Sequence, residues 1–330
     1  MKFRIDRREF VFLAGASLAA PQTLLAQSAH RVYRIAILDD DAENARAAYM
    51  KHFRNRLRVL GLVEGKQVVY EARYARGALD RLPALAAELI ALQPDVIVAL
   101  GTPTAIAAKK ATSSIPIVVP GSGDPVGTGL VASLARPGGN VTGTSILSTV
   151  IASKQLELLQ EVSGGGTRFA YLSDLSNQAV QLIVRGVQEH ARTRKLSILV
   201  FDGRERAEFE RSLEAIKREG VQGLLFGTSL VLMKHRDRIL QFAAQEKLPV
   251  VYGRREYVEA GGLISYTADQ QWAFQRAADY VHRILNGAKP ADLPFEQSSK
   301  VLMVLNLKTA RALGIKIPES VRVRVDEVIE

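Results

Sequence analysis

Short, unbroken apolar runs bounded by Gly, Pro or Asp recur along the chain, and amphipathic stretches separate them. A run of this kind predicts a strand buried on both faces, because a half-exposed strand would alternate apolar with polar positions. The runs come in pairs. Arg34-Ile-Ala-Ile-Leu-Asp-Asp40 is echoed by Arg168-Phe-Ala-Tyr-Leu-Ser-Asp174, and Asp95-Val-Ile-Val-Ala-Leu-Gly101-Thr102 by Gln222-Gly-Leu-Leu-Phe-Gly227-Thr228. Ile115-Pro-Ile-Val-Val119 returns as Leu248-Pro-Val-Val-Tyr252, and Gly138-Gly139 before Val141-Thr142 returns as Gly261-Gly262 before Ile264-Ser265. Four matches in one order, at a spacing of about 123 to 134 residues, indicate two similar halves.

Between the runs lie helical periods. Asp80 is placed to cap a helix through Gln93, with Leu82, Leu85, Leu89 and Leu92 on one stripe and Pro94 closing it. Its counterpart over 208–219 carries Phe209, Leu213 and Ile216 and stops at Gly220. Further helices are predicted at 42–60, 101–112, 153–161, 177–195, 233–246 and 270–285. Strands alternating with helices specify parallel sheets covered on both faces, so the fold class is α/β with two doubly wound lobes.

In open α/β sheets, ligands sit beyond the carboxyl ends of the strands. Two such lobes facing each other put those loops on opposite walls of a cleft. The candidate pocket residues are then Asp39 to Asp41, Gly101 to Thr104, Gly121 to Asp124, Asp174, Thr228, and Tyr252 to Glu256. Gly101-Thr102-Pro103-Thr104 opens a helix with free N–H groups and two hydroxyls, a receptor for a carboxylate; a plain helix cap has the same residues. Gly121-Ser122-Gly123-Asp124 allows close backbone approach and supplies a carboxylate for a cation, although Asp124 before Pro125 also fits the start of a turn. Tyr252 stands where an aromatic side wall would stack on a ligand, or where a core tyrosine would pack. Arg254, Arg255 and Glu256 also read as a rim charge cluster. An anion receptor beside an acid suits a zwitterion such as an amino acid.

Composition narrows the classes. The 330 residues are 47% hydrophobic and 24% charged, ordinary for a globular protein, and the length suits two domains. There is no cysteine, which excludes disulfides, thiolate metal sites, a Cys nucleophile and lipid anchoring through Cys. The net charge is +10, but the basic residues are scattered without a Lys/Arg cluster, so no nucleic-acid partner is expected. Residues 1–26 read as an export signal: Lys2, Arg4, Arg7 and Arg8 precede an apolar run from Val11 to Ala20, and cleavage fits best after Ala26. Arg7-Arg8-Glu9-Phe10 matches a twin-arginine signal, and a general secretory signal accounts for the same residues.

Catalytic signatures are missing. There is no G-x-S-x-G elbow and no phosphate loop, and the five histidines are dispersed with no metal spacing. Gly127-Thr-Gly129-Leu-Val-Ala132 matches a weak dinucleotide pattern in the wrong context. No enzyme activity, cofactor or metal is expected.

Several stretches together resemble the solute-binding proteins of ABC transporters with the type I periplasmic-binding fold, in the branch that includes binders of aromatic amino acids. They include Leu60-Gly-Leu-Val-Glu-Gly65, Asp80-Arg-Leu-Pro-Ala-Leu-Ala86, Asp124-Pro-Val-Gly127, Arg136-Pro-Gly-Gly-Asn-Val-Thr-Gly143, Tyr257-Val-Glu-Ala-Gly-Gly262 and Asn306-Leu-Lys-Thr-Ala310. The resemblance implies a periplasmic receptor of two lobes joined by a hinge with three crossovers, 32–144 plus 265–297 and 145–264 plus 298–330. It implies a small-molecule solute captured by hinge closure, an ABC permease as partner, and a monomer. The ligand-binding set is then Asp39, Thr102, Thr104, Gly123, Asp124, Ser145, Asp174, Asn177, Thr228, Tyr252 and Glu256. Asp39-Asp40-Asp41 and Ser173-Asp174-Leu175-Ser176-Asn177 depart from the family pattern by adding negative charge, which leans toward a ligand bearing an amine. A sensory module reporting to a membrane receptor, or an α/β enzyme, are the alternatives.

Overall fold

A computed structural model of the chain describes residues 31–298 and 300–330, so the predicted export signal at 1–26 lies outside the described residues. The folded unit runs from Tyr33 to Glu330. The first half follows the predicted alternation as β1 (Tyr33–Asp39), α1 (Ala47–Val59), β2 (Val68–Tyr74), α2 (Leu82–Ala91), β3 (Val96–Leu100), α3 (Thr102–Ala111), β4 (Ile117–Ser122) and β5 (Val141–Ser145). The second half repeats it: α4 (Ser148–Val162), β6 (Arg168–Ser173), α5 (Gln178–Thr193), β7 (Ser197–Asp202), α6 (Arg206–Arg218), β8 (Leu224–Phe226), α7 (Arg236–Gln245), β9 (Val250–Tyr252), α8 (Arg255–Glu259) and β10 (Ile264–Ala268). The chain then returns to the first lobe for α9 (Gln270–Leu285) and β11 (Glu296–Gln297). It ends in the second with β12 (Val301–Asn306), α10 (Leu307–Leu313), α11 (Glu319–Arg322) and β13 (Glu327–Ile329).

The two sheets share one topology. Their orders are β2-β1-β3-β4-β5-β11 and β7-β6-β8-β9-β10-β12-β13. The sequence echo is therefore a topological repeat, and in each lobe the strand order reverses between the first and third strands of the repeat. All pairings are parallel except β10 with β12.

Why the apolar runs are unbroken is visible in β1. Ile35 and Ile37 face a core shared with Phe53 of α1 and Phe274 of α9, while Ala36 and Leu38 face one shared with Leu82, Leu85 and Leu89 of α2. In β6, Phe169 and Tyr171 point to one face, and Ala170 and Leu172 to the other. Each buried leucine of α2 contributes about 1.5–3 kcal/mol of burial free energy.

The structure corrects several element boundaries. The predicted cap at Asp80 lies in a short 3-10 turn, Leu79–Arg81, that leads into α2. The helix expected from 42 begins at Ala47, because Asp41 to Ala45 form a turned loop behind β1. That expected from 153 begins five residues earlier, at Ser148, and the one expected from 233 starts as a 3-10 segment before α7. Strand β2 is interrupted by Glu71 and Arg73 because it is a sheet edge with mostly half-buried residues; β7, the edge of the other sheet, is also half-buried but keeps the apolar run Ile198 to Phe201. The expected return to the first lobe at 265 is corrected as well: Ser265 to Ala268 pair with β12, and the chain crosses at Ala268 and Asp269.

At Gly143 the backbone has φ +152, and a Cβ there would lie 2.2 Å from the Val119 carbonyl oxygen on β4. Gly129, at φ +70, has open space. Gly143→Ala therefore loses at least about 2 kcal/mol in urea unfolding and Gly129→Ala only about 1 kcal/mol.

Candidate functional site

Where the strand order reverses, the flanking helices leave on opposite faces and a crevice opens. The two reversal points face one another here. Asp40 follows β1 and Gly101 follows β3; Asn177 stands beyond β6, and Thr228 and Ser229 beyond β8. All five line a chamber of about 120 Å³. Gly121 near the end of β4 and Gly123 just past it, Ile146 and Ser148 in the first crossover, Arg46, Arg254, and Gln270 and Phe274 of α9 complete much of the wall.

Four helices, α3, α4, α5 and α9, present their first turns to this chamber, through Thr102 and Pro103, Ser148, Ala179 and Val180, and Gln270. A helix N-terminus carries about half a positive charge and unsatisfied N–H groups. Asn177 caps α5 by accepting from the Ala179 N–H at 3.0 Å, and Asp269 caps α9 by accepting from Trp272 N–H at 3.0 Å. Among the described residues α3 has no side-chain cap; Gly101 precedes it at φ +121. That glycine leaves room for Asp40, whose Oδ2 would stand 3.2 Å from a Cβ at this position.

Charges interleave across the cleft. On the first lobe Arg46, at the start of α1, folds back on the end of β1: one guanidinium nitrogen donates to Asp39 and another to Asp40 Oδ1 at 2.8 Å. On the second lobe Arg254 donates to Glu256 Oε1 at 2.6 Å, and Tyr49 of the first lobe donates to the same oxygen at 3.0 Å. Arg254 Nε and Glu256 Oε2 are buried without a hydrogen-bond partner. Asp174 is 1% exposed. It accepts from the Ser176 N–H and Oγ at 3.1 and 2.6 Å and from Ser229 Oγ at 3.3 Å. No cation among the described residues pairs with it.

Burial first, then repulsion from Asp41 and from Asp174 on the facing lobe, pushes Asp40 up to about 7 against the pull of Arg254. Burial and the neighbouring Arg254 bring Arg46 down to about 9. Burial alone would raise Glu256, but Arg254 and the hydrogen bonds it receives hold it below its ordinary value.

Larger cavities flank the chamber. One, of about 520 Å³, shares Ile146, Thr228, Arg254 and Gln270 with it. Another, of about 770 Å³, lies between the loop at Arg76 to Asp80 and the second lobe at Arg204, Val231 and Lys234. Arg254 lines all three.

Of the expected ligand set, the structure brings Thr102, Gly123, Asn177 and Thr228 onto the chamber wall. Asp174 stands behind Ser229. Glu256 lines only the flanking cavities. Ser145 is buried at the end of β5, next to the first crossover. Asp39 is buried at the end of β1 and taken by Arg46. Three members are corrected. Thr104 is fully buried and donates to the Gly101 carbonyl at 2.7 Å. Asp124 accepts from the Gly127 N–H at 2.8 Å and starts a turn, away from the wall. Tyr252 is a core residue stacked on Tyr257 at 5.1 Å, so the aromatic wall belongs to Phe274 instead. Sequence reasoning missed Arg46, Ser148, Ser229, Gln270 and Phe274. Only Ser229, one residue past a matched strand end, carried a signal that would have found it.

The ABC transporter substrate binding protein family model matches residues 34–329. A tyrosine-binding protein of Clostridioides difficile is 23% identical over 266 residues, spanning 81% of this chain and 76% of its own length. Among solved structures, the ABC domain of Streptococcus pneumoniae in complex with L-Trp is similar with TM-score 0.83 and 26% identity, covering 90% of this chain and 99% of that one. A conserved domain protein of Vibrio cholerae is similar with TM-score 0.84 and 27% identity over the same shares.

An ionised Asp40 is costly to bury. A carboxyl raised in the folded state favours folding while protonated, and that advantage is lost as pH rises from about 4 through 7. Asp40→Asn is therefore expected to melt a few degrees above the unsubstituted protein at pH 8, with the gap closing by pH 5; differential scanning calorimetry at the two pH values checks this.

Proposed function

Because the chain belongs to the ABC transporter substrate-binding protein family, we propose that its chamber captures a small amino-acid-like zwitterion and delivers it to an ABC permease. The convergence of four helix N-termini on one small chamber carries this reading. An uncapped α3, with Thr102 beside it and Arg254 on the facing lobe, suits a carboxylate. Asp40 on one wall, and Ser229 with Asp174 behind it on the other, suit an ammonium group. Phe274, Val180, Ile183 and Ile146 offer an apolar surface to the rest of the molecule. At about 120 Å³ the chamber is smaller than the roughly 300–1,000 Å³ of sites for drug-sized ligands. It fits the polar head, and the neighbouring 520 Å³ cavity gives a side chain room.

Binding works by closure. Only with the lobes together does a ligand touch both walls, so its differential affinity shifts the population toward the closed form. The names of the relatives support an aromatic amino acid as the first ligands to test. The basic, apolar start of the sequence supports export to the periplasm. A freely diffusing monomer without a nucleic-acid partner suits this role, and no observation favours the sensory alternative.

Isothermal titration with L-tyrosine, L-tryptophan, tyramine and 3-(4-hydroxyphenyl)propionate tests the reading. The intact amino acids are expected to bind tightest. Thr102→Val weakens them about tenfold, and Asp174→Asn weakens L-tyrosine by more than it weakens the analogue lacking the amine. Failure of all four probes to bind, or equal losses for amine and non-amine in Asp174→Asn, would remove the zwitterion assignment.

A further inference from the structure

Among the described residues, one side-chain hydrogen bond joins the lobes away from the crossovers. It runs from Tyr49 of α1 to Glu256 of α8, at 3.0 Å. The tyrosine ring is fixed by its own lobe: it stacks on Phe274 of α9 with centroids 5.5 Å apart and planes at 30°, and Phe274 is itself buried in the first-lobe core. The hydroxyl is thus aimed at the other lobe without needing a ligand to place it. Its acceptor is equally fixed, because Arg254 donates to the same carboxylate oxygen at 2.6 Å.

We propose that Tyr49, Glu256 and Arg254 form a latch that draws the two lobes together independently of any ligand, with Tyr49 as the positioning residue. This rests on the two-lobed binding reading above but not on the identity of the solute. It reassigns Glu256, expected from sequence to meet a ligand amine. Glu256 lines the flanking cavities and not the chamber, and its Oε1 is shared by Arg254 and the tyrosine while its Oε2 is buried. The protonation states suit a charge-assisted bond at neutral pH. Burial pushes the Tyr49 hydroxyl up to about 12, so it remains a donor, while Arg254 keeps the carboxylate ionised. Other charges near the bond are Arg255 on α8, which pairs with Glu259 and Glu327, and none of these competes for the shared oxygen.

A latch of this kind changes what a ligand must do. A protein that rests open reduces apparent affinity by the fraction of molecules that are binding-competent, and a pre-formed interlobe bond restores part of that fraction. Phe274 connects the two events, since one side of its ring supports Tyr49 and it also lines the chamber.

Small-angle scattering from the purified protein without added amino acid tests the latch. The unsubstituted protein is expected to populate the closed form. Tyr49→Phe, which keeps the ring and its stacking, lowers the closed-to-open ratio about tenfold or more and raises the radius of gyration. Glu256→Gln does the same, and the double variant opens no further than the stronger single one, because both remove one bond. Superimposable profiles for the unsubstituted protein and both single variants would overturn the latch. So would an unsubstituted protein already as open as Tyr49→Phe. Titration with L-tyrosine and 3-(4-hydroxyphenyl)propionate separates the latch from a ligand contact: Tyr49→Phe weakens both by the same factor, and a changed ratio between them would overturn the assignment. Loss of the zwitterion reading would leave the scattering result untouched.

Discussion

Four helix N-termini aimed at one small chamber set an electrostatic condition that the rest of the cleft has to meet. Their partial positive charges favour an anion at the centre. Two guanidinium groups, Arg46 and Arg254, stand at the same place and add to that field. Withdrawing such ions from water costs several kcal/mol each unless acids match them. The acids are Asp39 and Asp40 for Arg46, and Glu256 for Arg254. Each lobe therefore neutralises its own cation before the lobes meet, and closure does not have to bring in a counter-charge from the other side.

The echoed runs were enough to specify two lobes with one topology, because a strand buried on both faces must be apolar at every position. Ile35 to Leu38 and Phe169 to Leu172 show the reason: alternate residues enter different cores, and neither core tolerates a polar side chain. Edge strand β2, half-buried along most of its length, escapes that requirement and accommodates Glu71 and Arg73, so it left no equivalent trace. The same logic located the ends of the central strands, and with them Thr102, Asn177 and Thr228 at the chamber.

Side-chain direction was not legible in the same way. Tyr252 ends its strand and Thr228 stands just past its own, yet one packs into the aromatic cluster of Phe226 and Tyr257 while the other meets the cleft. A strand alternates faces residue by residue, so an error of one position exchanges core for pocket. Asp124 and Thr104 failed for a different reason. A short polar side chain beside a turn or helix start finds a backbone partner within a few residues, and that local bond outcompetes a distant ligand. Arg46 could not be read at all, because a helix-start arginine is ordinarily solvated. Only the loop from Asp41 to Ala45 returns its guanidinium to the end of β1.

Closure brings like charges together as well as unlike ones. Asp40 feels Asp174 across the cleft, and Arg46 feels Arg254. Asp174 has hydroxyl and N–H donors but, among the described residues, no paired cation, so the facing lobes hold more acid than their own arginines balance. An ammonium group placed between Asp40 and Asp174 would remove that repulsion and also stabilise the ionised form of Asp40. A carboxylate alone would satisfy the helix ends and leave the acids opposed. On the proposed reading, this balance of buried charge would favour a zwitterion over either half of it, with the apolar wall left to choose among side chains. Leu147, at φ +48 in the first crossover, stands in a left-handed backbone conformation that a branched side chain adopts only at a cost.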